Sequence, residues 1–182
     1  VPMVIFPGAA FHISEHADAI LFLSLVSGRN PEFLIGQLVL AASRIKASSL
    51  EVCPTGYILV DGGASTSVSY VSGTLPVPHD KPDIAAVTAL TAEMMGMKLV
   101  FMDAGSGARR TVSPAMVKAV REAVDCPIIV GGGFNSSESI EAVYAAGADL
   151  VVIGSMFESN PEKMDGLIQS LQKKNELISN IN

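Results

Sequence analysis

Short apolar runs alternate along the chain with stretches whose apolar residues recur every three or four positions. The runs are Val4–Phe6, Ala19–Leu25, Tyr57–Val60, Lys98–Met102, Pro127–Val130 and Leu150–Ile153. Each is short enough to read as a buried strand. Between them the helical spacing is clear. Asn30 and Pro31 suit an N-cap and first turn, followed by Leu34, Leu38, Ala41, Ala42 and Ile45. Asp80 can cap a second helix with Pro82 in its first turn; Ile84, Val87, Thr91, Met94 and Met95 form its apolar face, and Gly96 ends it. Ser113-Pro114 opens a third, with Met116, Val117, Val120 and Val124 on one side. Asn135 and Glu138 have capping-box spacing before Ile140, Val143 and Tyr144, and Gly147 stops that helix. Asn160-Pro161 opens a last one carrying Met164, Leu167, Ile168 and Leu171, and 175–182 is a polar tail.

Two connections break the alternation. Ala9–Asp18 is too short for an ordinary crossover helix. Asp61–Pro82 is a long Gly-, Ser-, Thr- and Pro-rich loop, a length typical of lids and binding loops. Strands that alternate with helices are parallel, in either an open doubly wound sheet or a (βα)8 barrel. The strands are very short and carry their chemistry at their C-terminal tips, which favours the barrel. Six units in 182 residues, against about 250 for eight, fit a single TIM-barrel domain over 1–182 whose first two βα units are missing. The opening on Val1, with a strand already begun by Met3–Phe6, agrees with a missing N-terminus.

Composition narrows the function. The chain is 49% hydrophobic and 16% charged with a net charge of −6, and it has no basic cluster, which argues against nucleic acid. An acidic protein that holds phosphates needs backbone amides and a metal ion rather than Lys and Arg alone. No signal peptide is visible and no run is long enough to span a bilayer. Cys53 and Cys126, beside Pro54 and Pro127, read as small apolar residues in a reducing, cytoplasmic setting.

The candidate chemistry sits at three strand tips. Lys98–Met102 ends on a single carboxylate, Asp103, followed by Ala104-Gly105-Ser106-Gly107, a loop with almost no side-chain bulk. Gly131-Gly132-Gly133 follows the fifth strand and runs into a capped helix; Gly154-Ser155 follows the sixth. Glycine loops after the last two strands of a barrel, one of them opening a helix, suit a phosphate group. His12, His16 and His79 are scattered without metal-ligand spacing and read as solvated or locally bonded. Arg109-Arg110 reads as an exposed pair within reach of a diphosphate, and Tyr57 as a core residue.

The segments PTGYILVDGGASTSVSYVSGTLPVPHDKPDIAAVTALTAEMMGMK, FMDAGSGA, VGGGF and IGS, with LFLSLVSGRNPEFLIGQ before them, resemble geranylgeranylglyceryl phosphate synthases over nearly all of Val4–Leu171. In that family one outer helix of the barrel is replaced by an extended segment, which matches Ala9–Asp18. The resemblance implies a Mg²⁺-dependent prenyltransferase that joins geranylgeranyl diphosphate to the 3-hydroxyl of sn-glycerol 1-phosphate, giving an ether-lipid precursor. It also implies a homo-oligomer. The family's Tyr-x-Glu motif falls on Phe101-Met102-Asp103, and Ala104, Gly105, Ser106 and Gly107 continue that loop. Its phosphate-holding loops fall on Gly132-Gly133 and on Gly154-Ser155. Asp103 is then the catalytic carboxylate. Phe101 lacks a tyrosine's hydroxyl, and Asp103 is one methylene shorter than Glu. The family's metal-binding Asp and a phosphate-contacting Lys belong to the first strand, so no metal ligand is expected in this chain. Three rival readings use the same loops: an FMN-dependent barrel, a phosphosugar enzyme, and an inactive barrel that binds a phosphometabolite.

Overall fold

The computed structural model describes residues 1–154, 157 and 158. In chain order it holds β1 (Val4–Ile5), β2 (Ala19–Leu25), a π-helical turn (Glu32–Gly36) continued by α1 (Gln37–Ala47), and β3 (Glu51–Leu59). Then come α2 (Ser67–Ser72), α3 (Pro82–Met94), β4 (Leu99–Asp103), α4 (Pro114–Ala123), β5 (Ile128–Gly131), α5 (Ser137–Ala145) and β6 (Leu150–Val152). The six strands form one sheet in sequence order, every neighbouring pair parallel. The expected helix from Asn160-Pro161, with Met164, Leu167, Ile168 and Leu171, lies outside the described residues.

The two faces of the sheet decide between the barrel and the doubly wound sheet. Successive side chains on a strand point to opposite faces. Ile58, Val60, Val100, Met102, Ile128 and Val130 pack with helix residues such as Ala89, Met116, Val120 and Val143. Ile20 packs in the same way with Ala41 and Ile45 of α1. The alternate set, Leu21, Leu25, Tyr57, Leu59, Phe101 and Ile129, forms a separate cluster without a residue of α1, α3, α4 or α5. Those four helices therefore share one face, where a doubly wound sheet carries helices on both. The fold is an arc of a TIM-like barrel whose inner face carries Tyr57, Phe101 and Asp103.

Several elements differ from the sequence expectation, each for a local reason. β3 starts at Glu51 and includes Pro54. A proline has no N–H to donate, but β4 begins in register only at Thr55, so that side of the strand needs no donor there. The long loop after β3 contains α2. Thr66 and Ser69 cap it reciprocally, and Gly73 ends it at φ +63°. Asn30 does cap the first helical turn, its Oδ1 accepting from Glu32 N–H at 3.1 Å, but that turn is π-helical before α1 begins. The caps of α3 and α5 shift by one residue. Lys81, with no side-chain bond, precedes α3, and Ser136 accepts from Ser139 N–H at α5. On α5, Ile140 and Val143 are buried, but Tyr144 is exposed.

The largest correction concerns α3. Its buried residues are Ala85, Ala89 and Ala92, whereas Ile84, Val87, Met94 and Met95 are exposed. Both sets have helical spacing, so periodicity alone does not choose between them. Packing does: a Cβ on Gly56 of β3 would lie 2.6 Å from Ala92 Cβ. The helix approaches the sheet so closely that only small side chains fit between them. The larger apolar residues are left on its outer surface.

The burial of Ala89 predicts that Ala89→Leu overpacks this contact and lowers stability by about 1–3 kcal/mol. Val87→Ala, on the outer face, changes it by less than about 0.5 kcal/mol. Chemical denaturation of the two variants checks the assignment of faces.

Candidate active site

Parallel pairing stacks the inner-face residues in rows. Tyr57, Phe101 and Ile129 lie side by side on β3, β4 and β5. One step toward the C-terminal ends come Leu59, Asp103, Gly131 and Val152, on β3 to β6. The loops after β4, β5 and β6 therefore leave the sheet from one row. This register brings Asp103 and the glycine loops together.

Both carboxylate oxygens of Asp103 are held. The Tyr57 hydroxyl donates to Oδ2 at 2.5 Å, and the Gly105 N–H donates to Oδ1 at 2.7 Å. Gly105 can turn back in this way because it adopts φ +88°. Tyr57 is only 5% exposed. Its ring meets Phe101 edge-on at 5.7 Å, and Phe6 from β1's end closes the cluster against both rings, at 5.9 Å from Tyr57 and 5.3 Å from Phe101. Burial first, then the adjacent Asp103 charge and hydrogen bond, push the Tyr57 phenol far above its ordinary value. It is a permanent donor at neutral pH.

Two cavities meet at this cluster. A polar cleft of about 520 Å³ is lined by Asp103, Ser106, Gly132, Gly133, Gly154 and their neighbours. An apolar groove of about 330 Å³ runs between the extended segment Pro7–Ile13, β2 and α1, with Tyr57 on its wall. Phe6 lines both. The glycines keep the cleft open around the acid. A Cβ on Gly131 would lie 2.8 Å from the Phe101 ring, and one on Gly132 would lie 2.8 Å from Asp103 Oδ1. Gly132 also adopts φ +84°, which side chains disfavour.

The expected site residues divide accordingly. Phe101, Asp103, Ser106, Gly107, Gly132, Gly133 and Gly154 line the cleft. Gly105 enters through its bond to Asp103. Met102 and Ala104 are fully buried on the helix-facing side, so only their backbone belongs to the strand end. Ser155 lies outside the described residues. Glu158, whose N–H donates to the Gly154 carbonyl at 3.1 Å, also lines the cleft and was not among the expected residues. Tyr57 was expected to be core. It is buried, but its hydroxyl serves the acid, and only the strand register reveals that pairing.

Arg110, His12 and His79 have partners outside the polar cleft. Arg110 pairs with Asp61 at 2.8 Å, tying the loop after β3 to the loop after β4. The Gly63 N–H and the Arg110 guanidinium hold the Asp61 carboxyl below its usual range. His12 Nδ1 lies 3.2 Å from the Gly8 N–H, and His79 Nε2 lies 3.3 Å from the Thr111 carbonyl. Both cysteines are free, and burial raises both thiols, Cys126 to about 11, so neither is poised as a nucleophile. Among the described residues no three His, Cys, Asp or Glu side chains converge to hold a metal ion. These residues alone do not fit a Mg²⁺ site.

The buried phenol has a pH consequence. An unfolded chain releases the tyrosine proton near pH 10, whereas folded Tyr57 keeps it to higher pH. The folded state then binds the extra proton, so this contribution to stability is complete below about pH 10 and declines above it. Denaturant midpoints measured across that range fall more steeply for the native sequence than for Tyr57→Phe.

A profile of the PcrB family matches residues 1–173. The chain is 54% identical over 177 residues to a geranylgeranylglyceryl phosphate synthase of Spirosoma linguale, covering 97% of this chain and 71% of that one. It is 43% identical over 174 residues to the Pyrococcus furiosus protein of the same name, covering 96% and 66%. Among solved structures it is similar to (S)-3-O-geranylgeranylglyceryl phosphate synthase from Thermoplasma acidophilum in complex with sn-glycerol-1-phosphate. The TM-score there is 0.86 at 35% identity, covering 92% of this chain and 67% of that one. The chain thus spans about two thirds of the length of these relatives.

Proposed function

The chain belongs to the PcrB family, and from that premise we propose that it transfers a geranylgeranyl group from geranylgeranyl diphosphate to the 3-hydroxyl of sn-glycerol 1-phosphate. The observation that carries this reading is the position of Asp103: one fixed carboxylate stands where a glycine-lined polar cleft meets an apolar groove. The two cavities suit the two substrates, one a small phosphate, the other a long hydrocarbon chain.

The roles follow from chemistry. The backbone of Gly132, Gly133 and Gly154 approaches the glycerol phosphate. Ser136 takes only the Ser139 N–H at the start of α5, so the glycine backbone and the remaining N–H groups of that first turn are the anion donors of this reading. The prenyl chain lies in the groove along Phe33, Leu38 and Ala41. Its diphosphate leaves with the electron pair of the breaking C–O bond. The new C–O bond forms from the glycerol 3-hydroxyl, whose proton Asp103 accepts. Mg²⁺ to neutralise the diphosphate belongs to the same proposal, held by residues other than those described.

The apolar stripe of Ile84, Val87, Met94 and Met95 on the outside of α3 supports a homo-oligomer. A cytoplasmic location is part of the same reading. No described helix is long and apolar enough to cross a membrane.

The test uses the chain in a protein of its relatives' full length. Incubation with radiolabelled sn-glycerol 1-phosphate, geranylgeranyl diphosphate and Mg²⁺ should move label into organic solvent. Asp103→Ala should cut the rate by about 10²- to 10⁴-fold. Absence of transfer with prenyl diphosphates of every length tried would refute the reading.

A further inference from the structure

Resting on that reading, we propose that Tyr57 is the positioning residue of the reaction: its hydroxyl fixes the Asp103 carboxylate so that the remaining lone pairs face the acceptor hydroxyl. The geometry begins with the aspartate's shortness. Asp103 is held from both sides, by Gly105 N–H on Oδ1 and by Tyr57 on Oδ2. A carboxylate has about four lone-pair sites. Two are taken, and the two bonds together fix the plane of the group. The Gly105 bond alone would leave rotation about the Cβ–Cγ bond poorly restrained.

No other tyrosine among the described residues can take over that role. Phe101, next to Tyr57 in register, has none to give. Tyr70 is 88% exposed and Tyr144 is 41% exposed on α5. Tyr57 also lies on the wall of the apolar groove, while Asp103 lies in the polar cleft. Their hydrogen bond therefore spans the junction where donor and acceptor must meet. Packing against Phe6 and Phe101 fixes the phenol in turn. The proton of Tyr57 does not move in the reaction. It stays on the phenol while Asp103 accepts the proton of the glycerol hydroxyl.

A second variant can return the hydroxyl from the neighbouring strand. The point where a Gly131 Cβ would stand is 3.0 Å from Phe101 Cζ and 3.4 Å from Asp103 Oδ1. The ring end of Phe101 and the carboxylate therefore border the same space over Gly131, and the exchange tests whether a hydroxyl entering from β4 serves the acid.

The experiment compares steady-state kinetics of the full-length protein with those of Tyr57→Phe and of the exchange variant Tyr57→Phe/Phe101→Tyr. Tyr57→Phe should lower kcat by about 10- to 100-fold, the size expected for loss of a hydrogen bond to a charged group. KM for sn-glycerol 1-phosphate should move less than about threefold, because the phosphate contacts are untouched. The exchange variant should recover much of kcat. An unchanged kcat in Tyr57→Phe, or a loss confined to KM, overturns the inference while leaving the transferase reading intact. An inactive native sequence overturns both. If Tyr57→Phe does not fold, 4-aminophenylalanine and 4-methylphenylalanine at position 57, similar in size and differing in the donor, decide: near-native kcat with the amine and a loss of about 10- to 100-fold with the methyl support the role, and equal kcat in both overturns it.

Discussion

The hydrogen bond from the Tyr57 hydroxyl to Asp103 joins the two halves of this structure. It exists because parallel pairing puts Tyr57 one row below Asp103 on the neighbouring strand, both on the inner face. A one-residue slip in β3 would turn Tyr57 into the helix layer and leave the carboxylate with a single partner. The register itself is held by burial on both faces of the sheet. Ile58 and Met102 pack outward under the helices, while Tyr57, Leu59 and Phe101 pack inward. The site is therefore as firm as the core that carries it.

Space around the acid comes from residues that are missing atoms rather than from residues that supply them. Gly131 and Gly132 leave room for the Phe101 ring and the Asp103 carboxylate. Gly56 serves the opposite side, letting α3 settle on β3 through Ala92. Small residues at these positions explain why a chain 49% hydrophobic builds both a dense outer layer and an open inner cleft.

The sequence was most readable where local and long-range forces agree. Ser113-Pro114 starts α4, and the four apolar residues expected on its inner side are buried. The parallel strands and the placement of the glycine loops at their C-terminal ends followed from alternation and turn chemistry. Three features were not legible. The buried face of α3 could not be chosen because its alanine and large-residue stripes have the same period, and the choice depends on Gly56 across the interface. The short helix α2 has weak helix formers and is set by the Thr66–Ser69 cap, a Ser in place of the usual Glu or Gln. Tyr57 looked like core because its polar end is satisfied by a residue 46 positions away. Only the register, which no local pattern encodes, brings the two together.

The account turns on Asp103 standing between phosphate cleft and apolar groove. Its most direct test is a crystal structure of the full-length protein with sn-glycerol 1-phosphate bound. The account predicts the phosphate against the Gly132–Gly133 backbone and the 3-hydroxyl within hydrogen-bond distance of Asp103, with the Tyr57 bond intact. A phosphate bound elsewhere, or a 3-hydroxyl turned away from Asp103, would contradict it.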